Sequence, residues 1–185
     1  MPNALRISGR VYPIRTDFRT GIEYQRMAAA GKLTAASLLD VWFPGEVPED
    51  IPDAVEGISR FLRRKDAPAP DQDQDYEGPI PYDFTADADV IVSGFLSQYG
   101  IDLTAPNQAM HWWRFMALLE GLVAPNLARR IDIRTRDLAG MKSRERAQWL
   151  KVRQAYAIHS DNESVANHLA ELDRIIAGHG GELHG

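Results

Sequence analysis

The sequence predicts a mainly α-helical protein, a helical bundle-like domain with a small N-terminal β-hairpin. Apolar residues recur every three or four positions along most of the 185 residues, which is the spacing of helices with one buried face. Alternation with a period of two is confined to residues 4–14, and prolines and glycines separate the helical segments. Helices that each bury one stripe against their neighbours form such a body.

The composition is that of a soluble globular protein, with 44% hydrophobic and 25% charged residues. The formal net charge of −5 argues against a protein that coats nucleic acid, because phosphate binding normally needs a basic surplus. The absence of cysteine excludes disulfides and thiolate metal sites. No leader-like run and no membrane-length apolar segment is visible, so we expect a cytoplasmic protein without membrane contact.

The hairpin is predicted over residues 4–14. Ser8-Gly9 can form its two-residue turn, and Pro13 limits the second strand to an edge position because proline has no N–H to donate. The apolar residues that alternate on either side of the turn are Leu5, Ile7, Tyr12 and Ile14.

Two helices are predicted after the hairpin. Thr16 or Asp17 can cap the first, which continues to Gly31. Thr34 can cap the second, which Pro44 stops because proline does not continue a helix.

A third helix is predicted from about Pro52 to Arg64, and the composition then changes. Residues 66–81 contain four prolines and no basic residue, so they cannot bury enough apolar surface to offset chain entropy. We interpret them as a flexible acidic linker that follows an N-terminal part, residues 1–65. A tolerated surface loop is favoured over a dedicated acidic interaction motif.

The region after the linker, residues 82–178, is predicted to be a helical core region that packs with the N-terminal part as one domain. Residues 179–185 are glycine-rich and are expected to form a disordered tail. Thr85 can cap the first helix of this region and Gly100 can end it. The predicted helices cover residues 84–99, 108–123, 127–138 and 143–158, and a last helix carries Val165, Leu169, Leu172 and Ile176.

The stretch HWWRF, residues 111–115, is predicted to be core. Neighbouring residues on a helix point about 100° apart, so the two tryptophans cannot close over one ligand. His111 lies near the helix start, where a ring nitrogen can satisfy a backbone group, and we favour that role over metal binding or catalysis. The residues expected to form the core of this region are Phe95, Trp112, Trp113, Phe115, Met116 and Leu119.

The usual signatures of catalysis and cofactor binding are absent from the sequence. It contains no phosphate-binding loop, dinucleotide fingerprint, HExxH or GxSxG motif. Carboxylates in residues 82–89 could form a metal or acid/base cluster, but their position at a helix start explains them more simply. We therefore expect no enzyme, no catalytic residue, no cofactor and no metal site.

The later part of the chain is locally basic. Residues 126–153 carry nine basic and three acidic side chains. Nucleic-acid binding is one interpretation, and the alternative is a solvated helical face that contacts the acidic linker or another subunit. The second is favoured because aromatic residues and glycines are not interleaved for base stacking.

Three blocks of the sequence resemble the bacteriophage "Gp fifteen" family, whose members are encoded among tail genes. They are ISGRVYPIRTDFR (7–19), PYDFTADADVIVSGFLSQYGIDL with MHWWRFMALLEGL (81–103 and 110–122), and the weaker RTRDL with WLKVRQAYAI (134–138 and 149–158). The resemblance implies a small helical tail assembly chaperone that binds the tape-measure protein and performs no covalent chemistry. A structural tail or connector protein of the virion is the alternative.

The resemblance implies tape-measure protein or other tail proteins as partners, and it leaves self-association open. A chaperone for a helical client needs exposed apolar surface. Two candidate partner-binding groups have the right composition, although both could equally be buried within the fold. They are Val41, Trp42 and Phe43 in the second helix, and Leu169, Leu172 and Ile176 in the last.

Overall fold

The computed structural model describes residues 1–64 and 80–158, which form a mainly α-helical fold with one two-stranded antiparallel sheet. The mainly helical prediction is confirmed. In chain order the elements are β1 (Ala4–Ile7), β2 (Arg10–Pro13), α1 (Phe18–Ala29), α2 (Ala35–Trp42), α3 (Ile51–Leu62), α4 (Ala88–Tyr99), α5 (Trp112–Glu120), α6 (Pro125–Thr135) and α7 (Ser143–Ala155).

The described residues fall into two compact units. The first unit contains residues 1–64 and 109–117, and the second contains residues 80–108 and 118–158. Helix α5 therefore begins in the first unit and ends in the second. The expectation of a single domain stays a prediction. Nearly all of the predicted linker, the last predicted helix and the predicted tail lie outside the described residues.

The hairpin forms as predicted around a two-residue turn. Ser8 and Gly9 have φ values of 46° and 82°, the pair of positive angles that a tight type I′ hairpin turn requires. Ile7 pairs with Arg10 across this turn. The backbone N–H of Ser8 donates to Asp53 Oδ2 at 2.6 Å, so the turn is attached to the start of α3.

Side-chain caps set the starts of the first three helices. Asp17 Oδ1 accepts the N–H of Arg19 at 3.0 Å at the start of α1. Thr34 and Ser37 accept each other's backbone N–H groups, at 3.1 and 2.8 Å, and so form a reciprocal capping box for α2. These two predicted caps are confirmed, whereas α3 begins one residue before Pro52 with Asp50 as its cap.

Residues 109–117 join the first unit through a short β-bridge. The N–H of Phe18 donates to Met110 O at 2.8 Å, and the N–H of Trp112 donates to Thr16 O at 2.7 Å. Asp17 Oδ2 also accepts the N–H of Met110 at 3.1 Å. This segment is therefore joined to the start of α1 by three hydrogen bonds.

The paired tryptophans lie at the C-terminal end of α3. Trp112 is buried and its indole N–H donates to Leu62 O at 3.3 Å. Trp113 is half-buried and its indole N–H donates to Phe61 O at 2.8 Å. Both indoles thus donate to carbonyls at the end of α3, where Phe61 O also accepts the N–H of Arg64 at 3.1 Å, a role that residue spacing does not indicate.

His111 has the structural role that its position predicts. Its Nδ1 accepts the N–H of Trp113 at 3.1 Å, and its Nε2 lies 2.8 Å from the carbonyl oxygen of Pro2. A neutral ring that carries its proton on Nε2 satisfies both contacts. The prediction that a ring nitrogen caps the helix start is confirmed.

Helix α5 is shorter than the predicted 108–123. Its start is delayed because Met110 and His111 are held in the β-bridge. Beyond its end, the side-chain amide of Gln98 donates to Gly121 O at 3.0 Å and accepts the N–H of Val123 at 2.7 Å. The side chain of Gln98 therefore replaces the continuing helix as the partner of these backbone groups.

The predicted cap of α4 is wrong, while its predicted end is confirmed. Thr85 lies in a turn, where its N–H donates to Asp83 Oδ1 at 2.8 Å, and the helix begins only at Ala88. Gly100 has φ 66°, the left-handed conformation in which glycine commonly ends a helix.

We expect Gly21→Ala to destabilise the first unit, because a Cβ at this position would lie 2.3 Å from the Trp112 ring. The free energy of unfolding should fall by about 2 kcal/mol, within the range that overpacking costs. Urea unfolding followed by tryptophan fluorescence measures this, since three of the four tryptophans lie in the first unit.

The matched control is Gly57→Ala in α3, where the nearest atom is the terminal carbon of the Leu5 side chain at 3.3 Å. The free energy of unfolding of this variant should fall clearly less, because a flexible side-chain end can shift. An equal fall in the free energy of unfolding of the two variants would contradict a requirement for glycine beneath Trp112.

Candidate functional site

A buried ion pair forms the centre of the second unit. Asp87 has no exposed surface and Arg134 is only 5% exposed. The guanidinium meets the carboxylate with two parallel contacts, from Nη1 to Oδ2 at 2.6 Å and from Nη2 to Oδ1 at 2.9 Å. Such a two-pronged pair fixes orientation as well as distance.

Two further groups complete the environment of Asp87. Arg130 donates to Asp87 Oδ1 at 3.1 Å and to Asp89 Oδ2 at 2.8 Å, and the N–H of Asp83 donates to Asp87 Oδ2 at 3.0 Å. Burial raises the pKa of Asp87, but the hydrogen bonds from Arg134, Asp83 and Arg130 outweigh burial and hold the pKa below its ordinary value of 3.8. Asp87 is therefore an ionised structural group.

The carboxylates at the start of α4 do more than stabilise the N-terminal end of that helix. Two of them neutralise arginines of α6, a pairing that their position in the sequence did not indicate.

Across the described ranges 1–64 and 80–158, no three histidine, aspartate or glutamate side chains are grouped so that they could hold a metal ion.

Arginine side chains position α7 against α6. Arg134 Nε donates to Tyr156 O at 2.7 Å, just past the end of α7. Arg153 Nε donates to Ile133 O at 3.3 Å, and the Arg136 guanidinium lies 4.4 Å from the centre of the Trp149 ring. Polar contacts therefore carry much of the attachment of α7.

With this attachment, α7 keeps two large aliphatic side chains exposed, while Trp149 is half-buried. None of its residues is buried. Leu150 is 50% exposed and Val152 is 40% exposed, and Tyr156 just beyond the helix is 38% exposed. Residues two apart on a helix point about 200° from each other, so Leu150 and Val152 expose apolar surface on nearly opposite sides of α7.

Two open clefts flank α7. The smaller, of about 330 Å³, is lined by Arg129, Asp132, Ile133, Gln148, Trp149 and Val152. The larger, of about 690 Å³, is called the α7 cleft below and is lined by Thr135, Arg136, Asp137, Leu138, Ala139, Arg146, Leu150 and Arg153. Each cleft combines apolar side chains with arginine.

The basic segment of residues 126–153 divides into two groups. Arg130, Arg134, Arg136 and Arg153 are engaged within the second unit, as described above. The other five basic residues are exposed, namely Arg129, Lys142, Arg144, Arg146 and Lys151. Only this second group matches the solvated face that the sequence suggested.

The candidate partner-binding residues of α2 do not form an open surface. Trp42 and Phe43 are buried and Val41 is half-buried, which corresponds to the alternative of burial within the fold. The other three candidates, Leu169, Leu172 and Ile176, lie outside the described residues. The exposed side chains of α7 were missed because the helix lacks a clear apolar stripe.

The expected core residues are mostly buried. Phe95, Trp112, Phe115 and Leu119 are buried, whereas Trp113 and Met116 are half-buried.

None of the helices in the described ranges is long and apolar enough to cross a membrane.

One comparison with known proteins gives a match. A family model described as "Bacteriophage Gp15 protein" matches residues 1–158. No curated protein and no solved structure matches the chain.

We expect Asp87→Asn to lower the free energy of unfolding at pH 7 by about 3 kcal/mol, because Arg134 loses its buried counter-charge. The folded-state pKa of Asp87 lies below 3.8, so its stabilisation is complete above that value and is lost as the pH falls below it. The difference between wild type and variant should therefore be constant down to about pH 5 and should narrow below pH 3.8.

Urea titrations followed by circular dichroism across this pH range measure the difference. The control is Asp132→Asn, which breaks an exposed ion pair with Arg136 in the same unit. This substitution should lower the free energy of unfolding by at most about 0.5 kcal/mol. A difference for Asp87→Asn that does not change with pH would contradict the assignment of an ionised carboxylate.

Proposed function

The chain belongs to the bacteriophage Gp15 protein family, and from this premise we propose that it is a non-enzymatic tail assembly factor. In this proposal it acts as a chaperone in the cytoplasm of the host cell. It binds the tape-measure protein and keeps it soluble until the tail tube forms around it.

The observation that carries the proposal is the open surface of α7. A chaperone for a long helical client needs apolar groups that are accessible before the client arrives. Leu150 and Val152 are accessible and lie beside clefts with arginine in their walls. A helix laid into a groove is a common form of such recognition.

A role without covalent chemistry is supported by how the polar side chains are used. His111, the histidine within the described ranges, is satisfied by two backbone contacts. The buried carboxylate of Asp87 is neutralised by two arginines. Both groups serve to hold the fold together, and neither is left poised for proton transfer.

Nucleic-acid binding by the exposed cations of α6 and α7 is the less favoured function. The same surface presents aliphatic side chains that contribute nothing to phosphate binding, and the chain as a whole is acidic. The combination of charge and apolar surface fits a polypeptide better.

We expect the full chain, tagged and co-expressed with the tape-measure protein of the same phage, to retain that protein in a pull-down and to increase its soluble fraction. Purified virions should lack the chain when analysed by mass spectrometry. An assembly factor leaves before the particle is complete, whereas a structural component remains.

The control is co-expression with the tail tube subunit, which should not be retained. Failure to retain the tape-measure protein would defeat the chaperone proposal. Stoichiometric amounts of the chain in virions would instead assign it to the tail structure.

A further inference from the structure

We propose that the α7 cleft binds an acidic, amphipathic helical segment of a partner protein. The proposal rests on the proposed function only for the expectation that the partner is a tail polypeptide. It adds the site on this chain and the chemistry of the segment that the site selects.

The apolar part of the cleft includes two leucines from different segments. Leu138, which follows α6, is buried, while Leu150 of α7 is half exposed. The cleft volume of about 690 Å³ accommodates several side chains of one helix face. Aliphatic side chains from a partner would remove the exposed surface of Leu150 from water.

The charged part of the cleft favours carboxylates. Its lining contains three arginines and one acidic residue, Asp137. Arg136 is already paired with Asp132, so Arg146 and Arg153 are the cations that a partner's carboxylates would meet. Arg153 is held in place by the carbonyl oxygens of Ile133 and Arg136, so its position does not depend on a partner. Preorganised guanidinium groups bind carboxylates without a further ordering cost.

The charge of α7 contrasts with that of the whole chain. Residues 143–155 contain four basic residues and one acidic residue, a net charge of +3, whereas the chain carries −5. An acidic segment is therefore repelled by much of the molecule and attracted to this helix. Such a distribution selects and orients a partner.

The shape of the cleft favours a helix as the bound segment. Arg146, Leu150 and Arg153 are spaced i, i+4 and i+7, so they form one stripe about 10 Å long on α7. A second helix packs along a stripe of this kind. The described residues of the second unit contain no strand to which an extended peptide could add.

The test uses the full chain and peptides of about 25 residues, long enough for several helical turns. The peptides are tiled across the tape-measure protein and the other tail proteins of the same phage, and their binding is measured by fluorescence anisotropy at low salt. The bound peptides should be acidic and should carry apolar residues at spacings of three and four.

Two variants of the cleft have matched controls. Arg146→Glu is compared with Lys151→Glu, which makes the same change of charge in α7 at a residue that does not line the cleft. Leu150→Ser is compared with Leu96→Ser in α4, since these leucines are 50% and 53% exposed. All four positions are exposed, so the variants should fold, which circular dichroism verifies.

Each cleft variant should weaken peptide binding about tenfold. Each control should weaken it clearly less, because Lys151→Glu removes only the general attraction of the α7 charge and Leu96→Ser lies outside the cleft. Equal effects of a variant and its control, or bound peptides without an acidic bias, would overturn the proposal. Displacement of the peptides by a single-stranded oligonucleotide would also overturn it, because the cleft would then bind nucleic acid. If the wild-type chain forms an oligomer that Arg146→Glu dissociates, the cleft would instead bind a second copy of the chain, and the proposal would be overturned as well.

The two proposals can fail separately. Unchanged retention of the tape-measure protein by both cleft variants would overturn the cleft assignment and leave the chaperone proposal intact. Selection of acidic helices from another tail protein, with no tape-measure peptide bound, would support the cleft assignment and defeat the tape-measure proposal.

Discussion

The first unit depends on the two carboxylate oxygens of Asp17. One oxygen caps α1, and the other accepts the N–H of Met110, so a single side chain fixes both a helix start and the return of a segment far along the chain. The β-bridge beside it brings Trp112 onto Gly21 and His111 onto Pro2. The same segment carries both indoles, which donate to carbonyls at the end of α3.

The second unit is organised by charge, and this has a consequence for its surface. An arginine network anchors α7, and the helix therefore does not need to bury an apolar stripe against its neighbours. Leu150 and Val152 remain available at the surface. The same contacts that position the helix thus leave these two side chains exposed.

Local signals predicted the parts of the fold that depend on neighbouring residues. The turn at Ser8, the cap at Thr34 and the helix end at Gly100 all follow from short-range chemistry. The pairing of Asp87 with Arg134 spans 47 residues, so periodicity carried no signal for it. The exposed face of α7 was missed for a related reason, since only the arginines that hold the helix explain why its apolar residues are not buried.

If the α7 cleft binds a partner as proposed, its combination of arginine with leucine suits temporary holding better than permanent assembly. Charge contributes much of its attraction, and such attraction at an exposed surface is weakened by salt and by competing carboxylates. Weak individual sites suffice if a long helical partner carries several similar segments, because many copies of the chain can then cover it. In the proposed tail-assembly function, such weakly held copies would be displaced one at a time by polymerising tube subunits, which a large apolar interface would resist.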